Sequence, residues 1–265
     1  MKKILKLVFV LLLAVSMVGC SKKEEDRDLL EVIKERGTII VATEGTWSPW
    51  TYHNEKDELV GFDLDVMKAI AKEIGVECEF VVAEWDSLLA GVDSKRFDIV
   101  ANGVEINEDR QKKYDFTDPY GYIRTALIVK KGNTDIKAFE DLDGKTTTNS
   151  LGSTYATLAE GYGATNTPVD DLNKTFELVL QDRADATLNA ELSFQDYLKA
   201  HPEAQLEVVD LTEEASLVSL PVRKGEETAA LIEAINDAIA KLSADGTLTQ
   251  ISNQYFGVDI TKASK

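Results

Sequence analysis

Residues 63–82, DLDVMKAIAKEIGVECEFVV, place a helix directly before a strand and set the class of the fold. Apolar side chains recur at helical spacing from Val66 to Ile74. Asp63 is the candidate N-cap, expected to be exposed to solvent, and Gly75 is expected to end the helix. The next residues alternate between apolar and polar side chains, as in a strand with one buried face. A helix followed at once by a strand is the building unit of α/β sheets.

The same alternation extends in both directions from this stretch. Further strands are predicted over 38–43, 97–101 and 125–129, with short helices capped by Asp86 and Asn107. A second series comprises strands over 145–149, 184–188 and 206–211 and helices over 153–160, 172–180 and 194–200. Two more helices, over 231–242 and 248–255, follow near the end of the chain. Two such α/β units predict two lobes whose strand ends face each other across a ligand cleft.

The composition excludes several classes of function. With 47 acidic against 29 basic residues, the 265-residue chain carries a formal charge of −18, so neither nucleic acid nor an anionic lipid surface is an expected partner. Hydrophobic residues make up 44% of the chain, enough for a folded core. Two cysteines and two histidines provide neither a disulfide framework nor a cluster of metal ligands. We therefore expect no metal and no cofactor.

The first residues are predicted to be an export signal. Lys2, Lys3 and Lys6 begin the chain, and the apolar run over 7–18 that follows is too short to span a bilayer. The run ends in Ser16-Met17-Val18-Gly19-Cys20, which resembles the bacterial lipobox, in which the cysteine is diacylated and becomes the new N-terminus. A plain secretory signal with an incidental cysteine is the alternative.

On this interpretation residues 1–19 are a lipoprotein signal peptide and Cys20 is the lipid attachment site. Residues 20–36 are expected to form a tether, since residues 21–28 have no apolar side chain. The mature protein would then be extracytoplasmic and lipid-anchored to the cell membrane, at a cell surface or in a periplasm.

An aromatic segment follows the first strand. Residues 44–52, EGTWSPWTY, place Trp47, Trp50 and Tyr52 around a turn proline, a pattern that favours a pocket wall over a core strand. Trp85 occupies the equivalent end of another strand and is a candidate to face Trp47 across the same pocket. Packing of these rings beneath a loop is the alternative.

Two helix N-termini are candidate anion sites. As an N-cap, Asn107 puts Arg110 in the first helical turn, where a guanidinium and free N–H groups suit a carboxylate. In the second half of the chain, Gly152-Ser153-Thr154-Tyr155 begins another helix with an edge that favours anions. This segment lacks Gly-Lys-Ser/Thr and is therefore not a nucleotide phosphate loop.

These features occur together in a known family. The export signal, the 44–52 segment, Gly61-Phe62-Asp63, Phe97-Asp98-Ile99-Val100, Arg110 and residues 115–120, DFTDPY, form an ordered set. The set resembles the solute-binding proteins of amino-acid ABC transporters, extracellular family 3, over residues 37–257. Residues 46–50, 85–91 and 185–189 are most similar to the cystine and polar amino-acid branch.

The resemblance implies an α/β fold, the two-lobe periplasmic-binding-protein-like clamshell of type II. Its lobes are joined by two extended crossover connections, here expected near 129–131 and 217–222. Residues 37–130 would form the first part of lobe 1, residues 131–218 would form lobe 2, and residues 219–265 would return to lobe 1.

The resemblance also implies roles for residues of the cleft. Arg110 would bind the ligand α-carboxylate, aided by backbone N–H groups around Glu105 and Thr154. Asn102 or Gly103 would offer a backbone carbonyl to the α-amino group. The other lining residues would be Glu44, Trp47 and Trp85 from lobe 1, and Ser153, Tyr155 and Asn189 from lobe 2.

Two positions depart from the family pattern. Glu105 stands where the family usually has serine or threonine, and Ala190 stands where it usually has the aspartate that accepts from the ligand ammonium. We expect Glu105 to supply the missing negative charge from lobe 1, with Glu44 as the fallback. In the alternative, Glu105 points to solvent and backbone carbonyls suffice for the ammonium.

The predicted function is that of a monomeric binding protein rather than an enzyme. It would capture a polar amino acid, with cystine and cysteine among the candidates, and present it to the membrane permease of an ABC importer. Two rival functions share the fold. One is that of the cyclohexadienyl dehydratases, for which Glu105 is a candidate general acid, and the other is that of sensor modules that report a ligand to a receptor.

Overall fold

The computed structural model describes residues 27–263. The predicted signal peptide over 1–19 and the lipid attachment site Cys20 lie outside the described residues. Within residues 27–263, no helix is long and apolar enough to cross a membrane.

Helix α1 (Leu29–Arg36) begins the folded part of the chain. Its N-cap is Asp28, whose carboxylate accepts from the Glu31 backbone N–H at 3.1 Å. Leu29 and Ile33 lie one turn apart and are both buried in the core of the first lobe. The expected tether over 20–36 therefore does not extend to residue 36, because the chain is a packed helix from Leu29 onward.

A parallel three-stranded sheet forms the centre of the first lobe. Strand β1 (Thr38–Thr43) lies between β5 (Glu77–Val82) and β6 (Ile99–Val100), so the carboxyl ends of all three strands meet at one edge. Helices α2 (Phe62–Ile74) and α3 (Trp85–Asp93) bury their apolar faces on either side. Shorter elements nearby are β2 (Thr46–Trp47), β3 (Thr51–His53), β4 (Leu59–Val60) and helix α4 (Glu108–Gln111).

Two antiparallel strand pairs run between the halves of the chain. Strand β7 (Tyr114–Phe116) pairs with β15 (Pro221–Arg223), and β8 (Gly121–Ile123) pairs with β14 (Ser216–Val218). The chain therefore leaves the first lobe and returns to it along neighbouring, oppositely directed strands.

A mixed five-stranded sheet forms the centre of the second lobe. In spatial order its strands are β11 (Thr165–Asn166), β10 (Thr146–Thr147), β12 (Ala186–Ala190), β9 (Thr125–Lys130) and β13 (Leu206–Leu211). The helices of this half are α5 (Thr154–Gly161), α6 (Leu172–Leu180), α7 (Glu191–Ala200) and the 3₁₀ turn Phe139–Leu142.

The strand over 125–130 differs from the expected lobe boundary. The boundary at residue 130 puts this strand in lobe 1, whereas β9 runs antiparallel to both β12 and β13 inside the second sheet. Its partners β12 and β13 begin only at Ala186 and Leu206, so no local sequence pattern could reveal the pairing. We propose that the two crossovers lie instead over 121–125 and 211–218.

The C-terminal helices complete the first lobe. After the 3₁₀ turn Glu226–Thr228, α8 (Ala229–Ala244) and α9 (Thr247–Phe256) pack on each other and on α2. Leu231, Ile235 and Leu242 of α8 are buried, as their helical spacing predicts.

Asp63 is placed differently from the sequence-based expectation. The N-cap of α2 is Gly61, and Asp63 is fully buried in its first turn. The Asp63 carboxylate accepts from the Tyr120 hydroxyl at 2.7 Å and from the Gly103 backbone N–H. Burial raises the pKa of Asp63 to about 7. The predicted cap in solvent is wrong because two partners distant in sequence hold this carboxylate in the core.

Candidate ligand-binding site

The strand ends of the two lobes face a common cleft. It encloses a cavity of about 60 Å³ and is lined by side chains from both halves of the chain. Every predicted ligand-binding residue except Ala190 lines it. Ala190 is fully buried at the end of β12, where it precedes α7.

Asn102 fixes one corner of the cleft between two strand ends. Its side-chain oxygen accepts from the Glu44 backbone N–H at 2.8 Å and from the Thr43 hydroxyl at 3.1 Å. Its amide N–H donates to Glu44 Oε2 at 2.6 Å. Burial raises the pKa of Glu44 to about 7, and the carboxylates of Asp170 and Asp171 add to the rise. Glu44 is therefore a carboxyl group that a nearby cation would ionise.

Trp47 forms an aromatic wall of the cleft. Its ring stacks on that of Trp50 at 5.2 Å between centres and meets Tyr155 edge to face at 6.4 Å. The Trp47 indole N–H donates to Asn189 Oδ1 at 3.0 Å, which ties this wall to the second lobe. Trp50 lies behind it, fully buried and outside the lining. The packing alternative thus holds for Trp50, and the pocket-wall interpretation holds for Trp47.

Gly103 allows the aromatic wall to approach the backbone. Its φ is +56°, and a Cβ at this position would lie 2.4 Å from Cζ3 of Trp47. Since Asp63 accepts from the Gly103 N–H, a buried carboxylate fixes the peptide on which Trp47 rests.

Arg110 supplies the positive charge of the cleft. As predicted, Asn107 caps α4, and its side chain accepts from the Arg110 backbone N–H at 2.8 Å. The guanidinium is buried, donates from Nη1 to the Glu105 carbonyl at 2.8 Å, and lies 5.2 Å from the centre of the Trp85 ring. Burial lowers the pKa of Arg110, and the nearby Glu105 opposes this shift, so the group stays cationic.

Arg110 also reaches the second lobe. Its Nη2 donates to the Gly152 carbonyl at 3.5 Å, at the limit of a hydrogen bond. Ser153 caps α5, with its hydroxyl accepting from the Ala156 N–H at 3.1 Å. The cation of the first lobe and a helix N-terminus of the second lobe therefore meet in the cleft.

Glu105 points across the cleft and not into solvent. It is 5% exposed, and its Oε1 accepts from the Thr154 hydroxyl at 2.7 Å. The Tyr155 hydroxyl is also buried and lies near the Ala190 backbone and the Glu105 carboxylate. Burial raises the pKa of Tyr155, and the charge of Glu105 raises it further. The Glu105 carboxylate and the Tyr155 hydroxyl thus lie side by side at the cleft.

The lobes are in direct contact around this cleft. Besides the bond from Trp47, the Trp50 indole N–H donates to Ser193 Oγ at 3.1 Å, and the Ser48 hydroxyl donates to Asp196 Oδ2 at 2.8 Å. All three bonds join the 47–50 loop of the first lobe to β12 or α7 of the second.

Sequence reasoning missed several lining residues. They are Thr46, Asn149, Ser150, Asp170, Leu172 and Thr175. Asn149 and Ser150 follow strand β10, so their strand-end position was a usable signal. Asp170 lies in a loop before α6, and only the folded structure brings it to the cleft opposite Glu44.

Comparison with known proteins agrees with this architecture. Residues 39–258 match the bacterial extracellular solute-binding proteins, family 3. The chain belongs to this family. A probable amino-acid ABC transporter-binding protein of Haemophilus influenzae is 36% identical over 257 residues, which cover 97% of this chain and 99% of that protein. The family and this relative are described as binding proteins, in agreement with the prediction of a binding protein rather than an enzyme.

Two solved structures are similar to this family 3 protein. An ancestral arginine-binding protein bound to arginine is 37% identical with a TM-score of 0.78, covering 84% of this chain and 99% of that one. The L-cystine solute receptor of Neisseria gonorrhoeae, in its unliganded open conformation, is 39% identical with a TM-score of 0.59, covering 88% and 98%. The fold prediction is confirmed.

Proposed function

We propose that this protein captures an amino acid in its cleft and delivers it to the permease of an ABC importer. The observation that carries the proposal is the buried Arg110 guanidinium, which contacts backbone carbonyls of both lobes at the edge of the cleft between them. The relative from Haemophilus influenzae, named for amino-acid ABC transport, supports the same function.

The α-carboxylate is assigned to Arg110 and the N-terminus of α5. A guanidinium offers two parallel N–H donors that match a carboxylate, and a helix N-terminus adds unpaired backbone N–H groups. The contact from Arg110 to the Gly152 carbonyl, at 3.5 Å, is weak enough for a carboxylate to replace it.

The α-ammonium is assigned to Glu105, with the Tyr155 hydroxyl as a second acceptor. An ammonium that is desolvated in a closed cleft requires an anionic or several neutral acceptors. The side chain of Ala190 cannot accept, whereas Glu105 is buried and directed across the cleft. The hydroxyl of Tyr155 lies beside Glu105 and would offer its oxygen to the same ammonium.

The ligand side chain would lie among Glu44, Trp47 and Trp85, which line the cleft on the first-lobe side. A carboxyl group and two aromatic walls suit a polar amino acid. Cystine and cysteine are among the candidates, and the likeness to the Neisseria gonorrhoeae receptor supports cystine.

The protein would act as a monomer outside the cytoplasm, held at the membrane by a lipid on Cys20. The family description as extracellular supports the export, and the lipobox-like motif supports the anchor. We expect a Cys20→Ala variant to be released as soluble, folded protein. Retention of that variant in the membrane fraction would contradict lipid anchoring.

A binding screen tests the proposed function. Purified protein is titrated by calorimetry, after a thermal-shift screen, with the L-amino acids, L-cystine and simple dicarboxylates. We expect at least one amino acid to raise the melting temperature and to bind with one-to-one stoichiometry. Dicarboxylates lack the ammonium and serve as the matched control. Binding of dicarboxylates but of no amino acid would refute amino-acid capture.

A further inference from the structure

A buried carboxylate behind the cleft has no cation beside it. Asp63 is fully buried, and within residues 27–263 it forms no ion pair with a lysine, arginine or histidine. Its partners are the Tyr120 hydroxyl, at 2.7 Å, and the Gly103 backbone N–H. Burying a carboxylate without a counter-charge is costly. A neutral amide of the same shape could make both contacts, so packing alone does not require this charge.

One peptide bond connects this carboxylate to the cleft. Asn102 and Gly103 line the cleft, whereas Asp63 lies behind them. The peptide between the two lining residues is trans, and the N–H and C=O of a trans peptide point in opposite directions. Because the Gly103 N–H points at Asp63, the Asn102 carbonyl points away from it, on the side of the cleft. Among residues 27–263, no backbone N–H donates to this carbonyl.

The orientation of this peptide is fixed from both ends. The Asn102 side chain is held by the Thr43 hydroxyl and the Glu44 backbone N–H. Gly103 has a φ of +56° and packs so closely on Trp47 that a Cβ would lie 2.4 Å from the ring. A carbonyl held in this way is already oriented before a ligand arrives, so little ordering is required when it accepts a hydrogen bond.

We propose that Asp63 is a positioning residue that strengthens binding of the ligand α-ammonium through the Asn102–Gly103 peptide. The carboxylate polarises the peptide, so that the Asn102 carbonyl becomes a stronger acceptor. An ammonium on that carbonyl would lie roughly 7 Å from the buried charge. The inference rests on the proposed function, because it requires an amino acid in the cleft. It adds an anion behind the cleft wall to Glu105, which would contact the ammonium directly.

Stability and affinity should respond in opposite directions to loss of this charge. Burial raises the pKa of Asp63 from 3.8 to about 7, so the folded state holds a proton that the unfolded state releases at lower pH. At pH 8 the carboxylate is ionised in both states, and its burial then lowers the stability of the fold. Removing the charge should therefore preserve or raise stability while it weakens the ligand. A residue that served packing alone would lose both.

The isosteric variant Asp63→Asn tests the proposal. Its amide oxygen can accept from the Gly103 N–H, and its amide N–H can donate to the Tyr120 oxygen, so both contacts remain. Calorimetric titrations at pH 8 use the amino acid that binds most tightly in the screen and its α-hydroxy analogue, which has no ammonium. We expect the variant to bind the amino acid at least about fivefold more weakly and the analogue with unchanged affinity. The melting temperature at pH 8 should equal or exceed that of the wild type.

Asp98→Asn is the matched control. Asp98 is also a buried carboxylate of the first lobe and accepts from a backbone N–H, that of Ile40, at 2.7 Å, but it lies outside the cleft. It forms an ion pair with Arg36. The control variant should therefore melt at a lower temperature and bind the amino acid within about twofold of wild type, the reverse of the result expected for Asp63→Asn.

The outcomes separate this inference from the proposed function. Unchanged affinity of Asp63→Asn for the amino acid overturns the inference and leaves amino-acid capture intact. Equal weakening of the amino acid and its analogue also overturns it, as does a lowered melting temperature or a failure to fold, because each result indicates a structural role. Failure of the wild-type protein to bind any amino acid refutes the proposed function and, with it, the inference.

Discussion

Replacement of Arg110 is the most informative perturbation of the cleft. Arg110→Ala removes the cation and both donor nitrogens that face the proposed carboxylate, and Arg110→Lys keeps the charge but not the planar pair of donors. The native guanidinium is 7% exposed, so a ligand carboxylate beside it is largely shielded from water.

The expected magnitude follows from this burial. Removing one partner of a desolvated, hydrogen-bonded charge pair costs about 2–5 kcal/mol, which corresponds to roughly 30- to 4,000-fold in affinity. Arg110→Ala should therefore bind at least about 30-fold more weakly. Arg110→Lys should lie between the alanine variant and the wild type, since an ammonium acts as a point charge.

Calorimetry with the amino acid that binds most tightly in the screen measures the effect. Arg96→Ala is a matched control, because the Arg96 guanidinium also lies over a ring, at 4.9 Å from the centre of Phe97, but outside the cleft. Melting temperatures of both variants separate lost binding from lost folding. A dissociation constant for Arg110→Ala within about threefold of wild type, with the fold intact, would remove Arg110 from the site.

Three further predictions concern the ammonium, closure and pH. Glu105→Gln keeps the shape of the side chain but removes its charge, so it should weaken binding of the amino acid about tenfold and leave binding of its des-amino analogue unchanged. The double variant Glu105→Thr with Ala190→Asp should recover much of the lost affinity. Unchanged binding of the amino acid by Glu105→Gln would exclude Glu105 as the ammonium partner. Ligand should reduce the radius of gyration in small-angle scattering and change tryptophan emission, since Trp47 bonds to Asn189 of the other lobe; if saturating ligand leaves both signals unmoved, ligand-driven closure is wrong. Because burial raises the pKa of Glu44 from 4.5 to about 7, the folded state holds a proton that the unfolded state releases between these values, so Glu44 contributes a loss of stability as pH rises from about 5 to 8. The melting temperature of Glu44→Gln should therefore fall less over that pH range than the melting temperature of the wild type. An equal fall would argue against the shifted pKa.

The parts of the fold that local pattern encodes were predictable from sequence. Asn107 caps the helix that carries Arg110, as the spacing between them indicates. Trp47 and Glu44 line the cleft because they directly follow β1, and ligands bind at strand ends in α/β sheets. In these cases the relevant contacts lie within a few residues or follow from the order of strands and helices.

The parts that depend on distant partners were not predictable. Asp63 has the sequence signature of a helix cap, but its partners Gly103 and Tyr120 are 40 and 57 residues away. The strand over 125–130 continues directly from the first lobe in sequence, yet its antiparallel pairing with β12 and β13 puts it in the second sheet. Asp170 has no motif around it, and only the contact between lobes brings it to the cleft.

The most direct measurement compares the tightest-binding amino acid with its α-carboxamide in parallel calorimetric titrations of the wild-type protein. The two ligands have the same shape, but the carboxamide lacks the negative charge that Arg110 and the N-terminus of α5 are proposed to bind. We expect the carboxamide to bind at least about 30-fold more weakly, as for the loss of one partner of a buried charge pair. Equal affinities would contradict capture of an amino acid through its carboxylate in this cleft.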